Sequence, residues 1–376
     1  MSDLLKTPFH DLHVSLGARM TAFAGYDMPL QYADGVMKEH LQTRTAAGLF
    51  DVSHMGQISL RPKSGQVEDA ARALETLVPV NVIGLKSGRQ RYALFTNEMG
   101  GIEDDLMVAN LGDHLFVVVN AACKDADIAR MQTALSDICE VEPLTDRALL
   151  ALQGPKAVEA LAALAPDCAD MRFMDVRVLE IGGAECIVSR SGYSGEDGFE
   201  ISIPEAQART VGDALLAHEA VHPIGLGARD SLRLEAGLCL YGNDIDSETT
   251  PVAAALEWAI QKVRRNGGDR AGGFPGAEII LAQLDSGAPR RRVGIQPEGR
   301  APVRAGTPLF ENESDVGQIG QVTSGVFGPS LQAPAAMGYV PTRMSEPGTN
   351  LFAEVRGKRL PVRVAKLPFI EPGYKR

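Results

Sequence analysis

The segment Asn97-Glu-Met-Gly-Gly-Ile-Glu-Asp-Asp-Leu-Met-Val108 places a glycine turn directly before an apolar run, a pattern typical of a turn that enters a β-strand. Because side chains alternate across a strand, Asp104 and Asp105 are expected on opposite faces. One carboxylate would face solvent, and the other would face a pocket in which burial raises a carboxyl pKa. On spacing alone, a solvated acidic turn is the commoner meaning of this pattern.

Outward from this segment, helix and strand signals come in hairpin clusters instead of regular βαβ units, which predicts an α+β fold. Apolar spacing predicts helices over 34–47, with Gly48 as a C-cap, and over 67–77, 125–138, 155–164 and 206–217. From about Arg290, glycine, proline and short β-rich segments recur at short intervals, which predicts a separate C-terminal all-β domain. The turn-forming segment 283–289 is the expected linker.

Length and composition restrict the class of protein. A chain of 376 residues exceeds one usual hydrophobic core, so two or three domains are expected. The formal net charge of −11 argues against a nucleic-acid binder, because phosphate binding needs a basic surface. No apolar run approaches the roughly 20 residues that span a bilayer, and the N-terminal sequence has no targeting pattern, so the cytoplasm is the expected compartment.

A second motif, Ser189-Arg-Ser-Gly-Tyr-Ser-Gly-Glu-Asp-Gly-Phe-Glu-Ile201, is rich in glycine. Its glycines permit close backbone approach, Tyr193 offers an aromatic platform, and Glu200 enters the following apolar run. A carboxylate accepts two donors from an amidine-like edge such as that of a pterin or guanine. A simple glycine-rich hairpin also fits this pattern. A phosphate loop does not, because no Gly-Lys-Ser/Thr follows.

The third motif runs from Gly225 to Ile245 and carries charges at helical spacing, among them Arg229 and Arg233. It fits either a salt-bridged surface helix or an arginine anchor for a carboxylate tail. Asp51-Val-Ser-His54 is interpreted as a structural turn, because residues that close cannot align as a nucleophilic relay. No histidine or cysteine grouping has metal-ligand spacing, so no metal site is expected.

These segments together resemble the glycine cleavage T-protein family over nearly the whole chain. The matching pieces stand in family order: Gly25 to Pro29, Leu49 to Gly56, Gly100 to Val108, Asn120-Ala-Ala, Gln153-Gly-Pro155, Ser191 to Glu200, Gly227 to Ala236 and Val322-Thr-Ser-Gly325.

The resemblance implies a three-domain cloverleaf around a central folate site, with a β-barrel or jelly-roll-like C-terminal domain. The first domain would be discontinuous, over 1–50 and 148–245. The second would comprise 51–147 and 246–285, and the third 286–376.

The resemblance also implies the reaction. The methylene of an aminomethyl group on the lipoyl arm of H-protein would pass to tetrahydrofolate, giving 5,10-methylenetetrahydrofolate and ammonia, with no metal, flavin or nucleotide. By motif position, Asp105 resembles the catalytic carboxylate. Glu200 and Asn120 resemble pterin-binding groups, and a further set would line the folate or its tail: Arg229, Tyr92, Tyr193 and Tyr374.

Arginines at the start of the third domain would supply positive charge to attract the carrier or the folate tail: Arg290, Arg291, Arg292, Arg300 and Arg304. One segment departs from many bacterial members, since Gly273-Phe-Pro-Gly-Ala277 lacks their lysine and is more like mitochondrial members. A mature mitochondrial-matrix protein is therefore the alternative location.

Two alternatives stay open on the same scaffold. One is a folate-dependent demethylase of a small methyl donor. The other is a non-catalytic folate-binding iron–sulfur maturation factor, disfavoured because Gly272–Ala277 contains no cysteine and Asp105 is present.

Overall fold

A computed structural model describes residues 4–376 and contains three sheets and a two-stranded hairpin. Its strands in chain order are β1 Arg19–Phe23, β2 Tyr26–Gln31, β3 Ala47–Asp51, β4 Gly56–Pro62, β5 Arg89–Thr96, β6 Ile102–Asn110, β7 Leu115–Val119, β8 Cys139–Pro143, β9 Arg147–Gln153, β10 Val176–Ile181, β11 Ala184–Ser189, β12 Gly198–Pro204, β13 Val221–Pro223, β14 Arg290–Pro297, β15 Pro308–Phe310, β16 Gly320–Gly328, β17 Ala333–Pro341, β18 Asn350–Val355 and β19 Lys358–Ala365.

The α-helices are α1 His10–Ser15, α2 Gly35–Thr45, α3 Val67–Leu74, α4 Lys124–Leu135, α5 Ala157–Ala162, α6 Glu205–Leu216, α7 Leu226–Glu235 and α8 Ala277–Ser286. All five helices predicted from apolar spacing are present, with shifted ends. The C-cap prediction was wrong, because α2 ends at Thr45 and Gly48 lies inside β3. None of the helices within residues 4–376 is long and apolar enough to cross a membrane.

The six-stranded sheet has the order β10-β11-β12-β9-β3-β13 and is covered on both faces. Strand β9 is apolar at successive positions because both of its faces are buried. Leu150 and Leu152 pack in the larger core with α5 and α6, whereas Leu149 and Ala151 pack against α7. The face toward α7 matters for function, because alternate residues of β12 also point there.

The five-stranded sheet has the order β5-β6-β7-β4-β8, with α3 and α4 packed on it. Strand β6 alternates as predicted, since Asp104, Leu106 and Val108 are buried while Asp105 and Met107 are partly exposed. The expectation that one of the two aspartates faces solvent was wrong, because Asp104 is 0% exposed and the Asp105 carboxyl group is also buried. Leu106 and Val108 belong to the main core of this sheet, so Asp105 lies on the other face.

Strands β14 to β19 close into a six-stranded barrel in the order β14-β17-β16-β15-β18-β19. The α+β class and the C-terminal β-domain predicted from the sequence are thereby confirmed, in the barrel form. The expected linker 283–289 was too long, because α8 continues to Ser286 and leaves only 287–289 before the barrel. Helix α7 packs directly against barrel strands β16 and β17.

Candidate active site

Asp105 is held by Asn120, which follows strand β7. Strands β6 and β7 pair with Leu106 opposite Val119, so the end of β7 lies beside the two aspartates. The Asn120 Nδ2 group donates to Asp105 Oδ1 at 2.8 Å, to the Asp105 carbonyl oxygen at 3.1 Å and to Asp104 Oδ1 at 2.9 Å. Three acceptors around this nitrogen fix the orientation of the amide, because the flipped amide would place oxygen against oxygen.

The Asp105 carboxyl group has an unusually high affinity for its proton. Burial and the nearby Asp104 carboxylate raise the pKa of Asp105 to about 7, while the Tyr92 hydroxyl and the Asn120 amide partly offset the rise. A group with this pKa exchanges a proton near neutral pH, as a general acid or base must.

Four further side chains form a connected cluster with Asp105: Tyr92, Tyr193, Arg229 and Glu200. The Arg229 guanidinium lies over the Tyr193 ring, 4.7 Å from its centroid, and its charge acts on Glu200. All five side chains are only partly buried. Burial nevertheless raises the pKa of Tyr92, Tyr193 and Glu200, because removal from water disfavours the ionised form of each group.

Glu200 faces the cluster around Asp105 because of strand alternation. Phe199 and Ile201 on β12 point into the larger core, so Glu200 points to the opposite face, toward α7 and Arg229. Within residues 4–376 its carboxylate accepts one side-chain hydrogen bond, a long one of 3.3 Å from the Ser191 hydroxyl. The carboxylate therefore retains unused acceptor capacity.

The glycine-rich loop before β12 packs against protein. A Cβ atom on Gly192 would lie 1.8 Å from Gln153 Oε1, and one on Gly198 would lie 2.4 Å from the Leu152 carbonyl oxygen. Gln153 also accepts a hydrogen bond from the Ser194 hydroxyl at 2.7 Å. These glycines permit the loop to contact β9, and the loop then presents Tyr193.

Tyr374 is separated from the cluster around Asp105. Its ring stacks on Phe173, with centroids 4.1 Å apart and an interplanar angle of 9°. The chain after β19 returns from the barrel to this position, and the Gly373 amide donates to the Gly195 carbonyl oxygen at 2.8 Å. Tyr374 therefore lies next to the glycine-rich loop that carries Tyr193, and Arg44 and Glu196 are charged groups near it.

The arginines at the start of the barrel are only in part a free positive surface. Arg292 is 6% exposed and donates to the carbonyl oxygens of Ala254 and Gly237, so the expectation that it attracts a partner is wrong. Arg291 is paired with Glu257, with Nη2 2.6 Å from Oε1. Of the five arginines, the exposed ones are Arg290, Arg300 and Arg304.

Asp51 and His54 do not form a relay, in agreement with their interpretation as part of a structural turn. Asp51 is bonded instead to His13, whose Nε2 lies 2.9 Å from its Oδ2, and it accepts from the Thr7 hydroxyl at 2.6 Å. In residues 4–376, no three His, Cys, Asp or Glu side chains are grouped as metal ligands.

Two residues next to the cluster had not been expected from the sequence. Trp258 is 60% exposed and stacks on Tyr92, with centroids 5.4 Å apart. It is the only tryptophan in the chain, and this rarity is the one feature of the sequence that could have drawn attention to it. Asp127, in the first turn of α4, lies against Asp104 and carried no signal beyond helical spacing.

The comparisons with known proteins concern the family to which the chain belongs. Residues 9–264 match the family model "GCVT N-terminal domain", and residues 290–371 match "Glycine cleavage T-protein C-terminal barrel domain". The chain is 46% identical to the mitochondrial aminomethyltransferase of Homo sapiens, covering 99% of this chain and 91% of that protein. It is 43% identical to the mitochondrial aminomethyltransferase of Dictyostelium discoideum, covering 100% and 94%.

A solved structure extends the agreement to the whole fold. The crystal structure of glycine cleavage system aminomethyltransferase T from Bartonella henselae superposes with a TM-score of 0.91 at 44% identity, and both chains are covered completely. The same family is indicated by both family-model matches, by the full-length relatives and by this superposition. The chain belongs to the glycine cleavage T-protein family.

Proposed function

We propose that this chain, an aminomethyltransferase of the glycine cleavage system, takes its aminomethyl group from the lipoyl arm of H-protein and gives the methylene to tetrahydrofolate. The carbon–sulfur and carbon–nitrogen bonds of the aminomethyl group break, and bonds from carbon to folate N5 and N10 form. The two hydrogens lost from N5 and N10 end on sulfur and on the departing ammonia.

The observation that carries the catalytic assignment is the Asp105 carboxyl group. Its pKa of about 7, beside aromatic and charged side chains, suits a residue that steers protons between folate and the departing amine. When ionised, the same carboxylate stabilises the iminium-like cation that develops as carbon leaves sulfur. Both roles require the orientation that Asn120 gives to Asp105.

Glu200 and Asn120 are proposed to hold the pterin. The free acceptor capacity of Glu200 matches the paired N–H donors on the edge of a pterin, and a carboxylate accepts such a pair in bidentate fashion. The amide donors of Asn120 are already engaged with the two aspartates, so its Oδ1 is the atom that would meet a ligand. Asn120 would therefore accept from the pterin.

The remaining residues of the cluster around Asp105 are proposed to bind the rest of the folate. Arg229, fixed over Tyr193, offers a cation for a carboxylate tail, and Tyr92 with Tyr193 offers flat apolar surface. Tyr374 would act at the outer end, because its contacts are with Phe173 and the glycine-rich loop. A Tyr374→Ala enzyme should then lose folate affinity with little change in turnover, while Tyr374→Phe, which retains the stacking, should not.

The division into domains is proposed along the same lines, with 1–50 and 148–245 as the first, 51–147 and 246–285 as the second, and 286–376 as the third. Sheet membership supports it: β3 and β9 to β13 form one sheet, β4 to β8 another, and β14 to β19 the barrel. Limited proteolysis should cut first near 287–289, where α8 ends and the barrel begins.

The compartment is proposed to be the cytoplasm, with the mitochondrial matrix as the alternative. The named eukaryotic relatives are described as mitochondrial, whereas the relative with a solved structure is from Bartonella henselae. Fractionation of the source cells with an antibody to this chain decides between them.

The deciding experiment measures ammonia released from aminomethyl-H-protein with and without tetrahydrofolate. Release that depends on both the carrier and folate supports the proposal. Methyl transfer to folate from a free small donor, with no reaction of the carrier, would instead identify a demethylase and overturn it. Folate binding without any turnover would also overturn it, in favour of a folate-binding maturation factor.

A further inference from the structure

Behind Asp105 lies a second pair of carboxyl groups. Asp104, 0% exposed, and Asp127, 2% exposed, are joined by a hydrogen bond between their side chains. Asp127 belongs to the first turn of α4, and Asp104 occupies the core-facing position of β6 next to Asp105. Two carboxyl groups in such contact cannot both be ionised, so the pair holds one proton.

The surrounding donors decide where this proton resides. Asp104 accepts from the backbone N–H of Asn120 at 3.0 Å and from Asn120 Nδ2 at 2.9 Å, and both bonds favour its ionised form. The Oδ2 atom of Asp127 is buried and has no hydrogen-bond partner within residues 4–376. Asp127 is therefore the carboxylic acid, and it donates to the Asp104 carboxylate.

The other ionisable groups near the pair do not reverse this assignment. Arg130 on α4 is a nearby cation acting on Asp127, and it is paired with Glu103 of β6, with Nη2 3.3 Å from Oε2. The Cys123 thiol and the Tyr241 hydroxyl face Asp104, and in both cases burial raises the pKa, so neither adds a charge at neutral pH. Burial and the Asp104 charge raise the pKa of Asp127 to about 9.

We propose that Asp127 is a positioning residue that, as a neutral acid, fixes Asp104 and through Asn120 orients Asp105. This inference rests on the catalytic role proposed for Asp105. The chain of contacts is continuous: Asp127 donates to Asp104, Asp104 accepts from Asn120, and the same Asn120 nitrogen donates to Asp105. By donating to Asp104, Asp127 stabilises the state in which Asp104 and Asp105 are both ionised.

Removal of this donor has a predicted direction. Without the Asp127 donor, the state in which Asp104 and Asp105 are both ionised is less stable. A proton then binds more tightly to these two carboxylates, and the acid limb of the activity profile moves to higher pH. Asp127→Ala should move that limb upward by about one pH unit, since a hydrogen bond to a charged group contributes about that much. Asp127→Asn retains a neutral N–H donor and should keep the wild-type limb.

The test combines these profiles with infrared difference spectra that need no turnover. At neutral pH the spectrum of wild type minus Asp127→Asn should show the carbonyl stretch of a protonated carboxylic acid. Absence of that band overturns the inference, as does an unshifted limb in Asp127→Ala or an equal shift in both variants. If Asp127→Ala does not fold, the band and the retained limb of Asp127→Asn decide.

The failure of the two proposals can be told apart. An Asp105→Asn enzyme with wild-type rate would remove the catalytic role of Asp105 while the infrared band of Asp127 persisted. A missing band with an inactive Asp105→Asn enzyme would remove the role of Asp127 alone.

Discussion

Arg233 and Asp244 form an ion pair inside the protein, with Nη1 2.6 Å from Oδ2 and side-chain exposures of 2% and 0%. Arg233 belongs to α7, which also carries Arg229. Asp244 accepts hydrogen bonds from Thr323 at 2.5 Å and from Ser324 at 2.9 Å, both on barrel strand β16. The pair therefore connects the helix of the active-site cluster to the barrel.

Replacing Arg233 by methionine should destabilise the protein by about 3–5 kcal/mol, because Asp244 would be left as an uncompensated buried charge. Urea unfolding followed by circular dichroism measures the loss. The matched control is Glu311→Gln at the exposed pair of Glu311 and Arg343, which should change the stability little because solvent screens the two charges. A loss at Arg233 no larger than the loss at the control would show that the buried pair does not hold the barrel in place.

Asp105→Asn should reduce folate-dependent ammonia release by about 10²–10⁴-fold, the usual contribution of a positioned acid or base. The KM for tetrahydrofolate should change little, because Asn120 and Glu200 stay in place. Glu98→Gln is the matched control, since this acid is exposed in the turn that precedes β6. Equal rates for wild type and Asp105→Asn would exclude Asp105 from the mechanism.

The same variant should be more stable than the wild type, and the gain should depend on pH. The pKa of Asp105 is raised in the folded state, so wild-type stability is greatest below the unfolded pKa and is lost as pH rises through about 7. Asparagine does not ionise and avoids this loss. The difference in unfolding free energy between variant and wild type should therefore grow from pH 5 to pH 8, on the order of 2 kcal/mol, as measured by urea unfolding at each pH. A constant difference would contradict the raised pKa.

The sequence predicted the local features of this site better than its assembly. Strand alternation separated Asp104 from Asp105 correctly, because that property depends only on neighbouring residues. Helical spacing likewise indicated the pair of Asp230 and Arg233, with Nη2 2.8 Å from Oδ1. Neither property requires knowledge of which strands pair.

The contacts that were not predicted all join distant segments. Nothing near Arg233 indicates that Asp244 and a barrel strand complete its surroundings. The proximity of Asn120 to Asp105 depends on the pairing of β6 with β7, and the burial of Arg292 depends on how the barrel meets 237–254. Of these relations, only the grouping of Asn120 with Asp105 was implied by the ordered set of family motifs.

Tyr92→Phe should shift the pH dependence of the reaction. The Tyr92 hydroxyl is one of the groups that lower the pKa of Asp105, so its removal should raise that pKa above about 7. If the ionised carboxylate is the active form, the acid limb of log kcat/KM moves to higher pH by about half a unit or more. Tyr32→Phe, whose hydroxyl lies 2.9 Å from His13 Nδ1, is the control and should leave the limb in place.

Glu200→Gln should weaken folate binding more than it slows the reaction. The change keeps the size of the side chain but removes the negative charge and one acceptor atom, so a bidentate, charge-assisted contact with a pterin edge is lost. The KM for tetrahydrofolate should rise about 10-fold or more, with kcat changed much less, in steady-state assays at saturating aminomethyl-H-protein. Glu205→Gln, at the exposed start of α6, is the matched control and should behave as wild type. An unchanged KM in Glu200→Gln would mean that the free acceptor capacity of this carboxylate serves something other than the pterin.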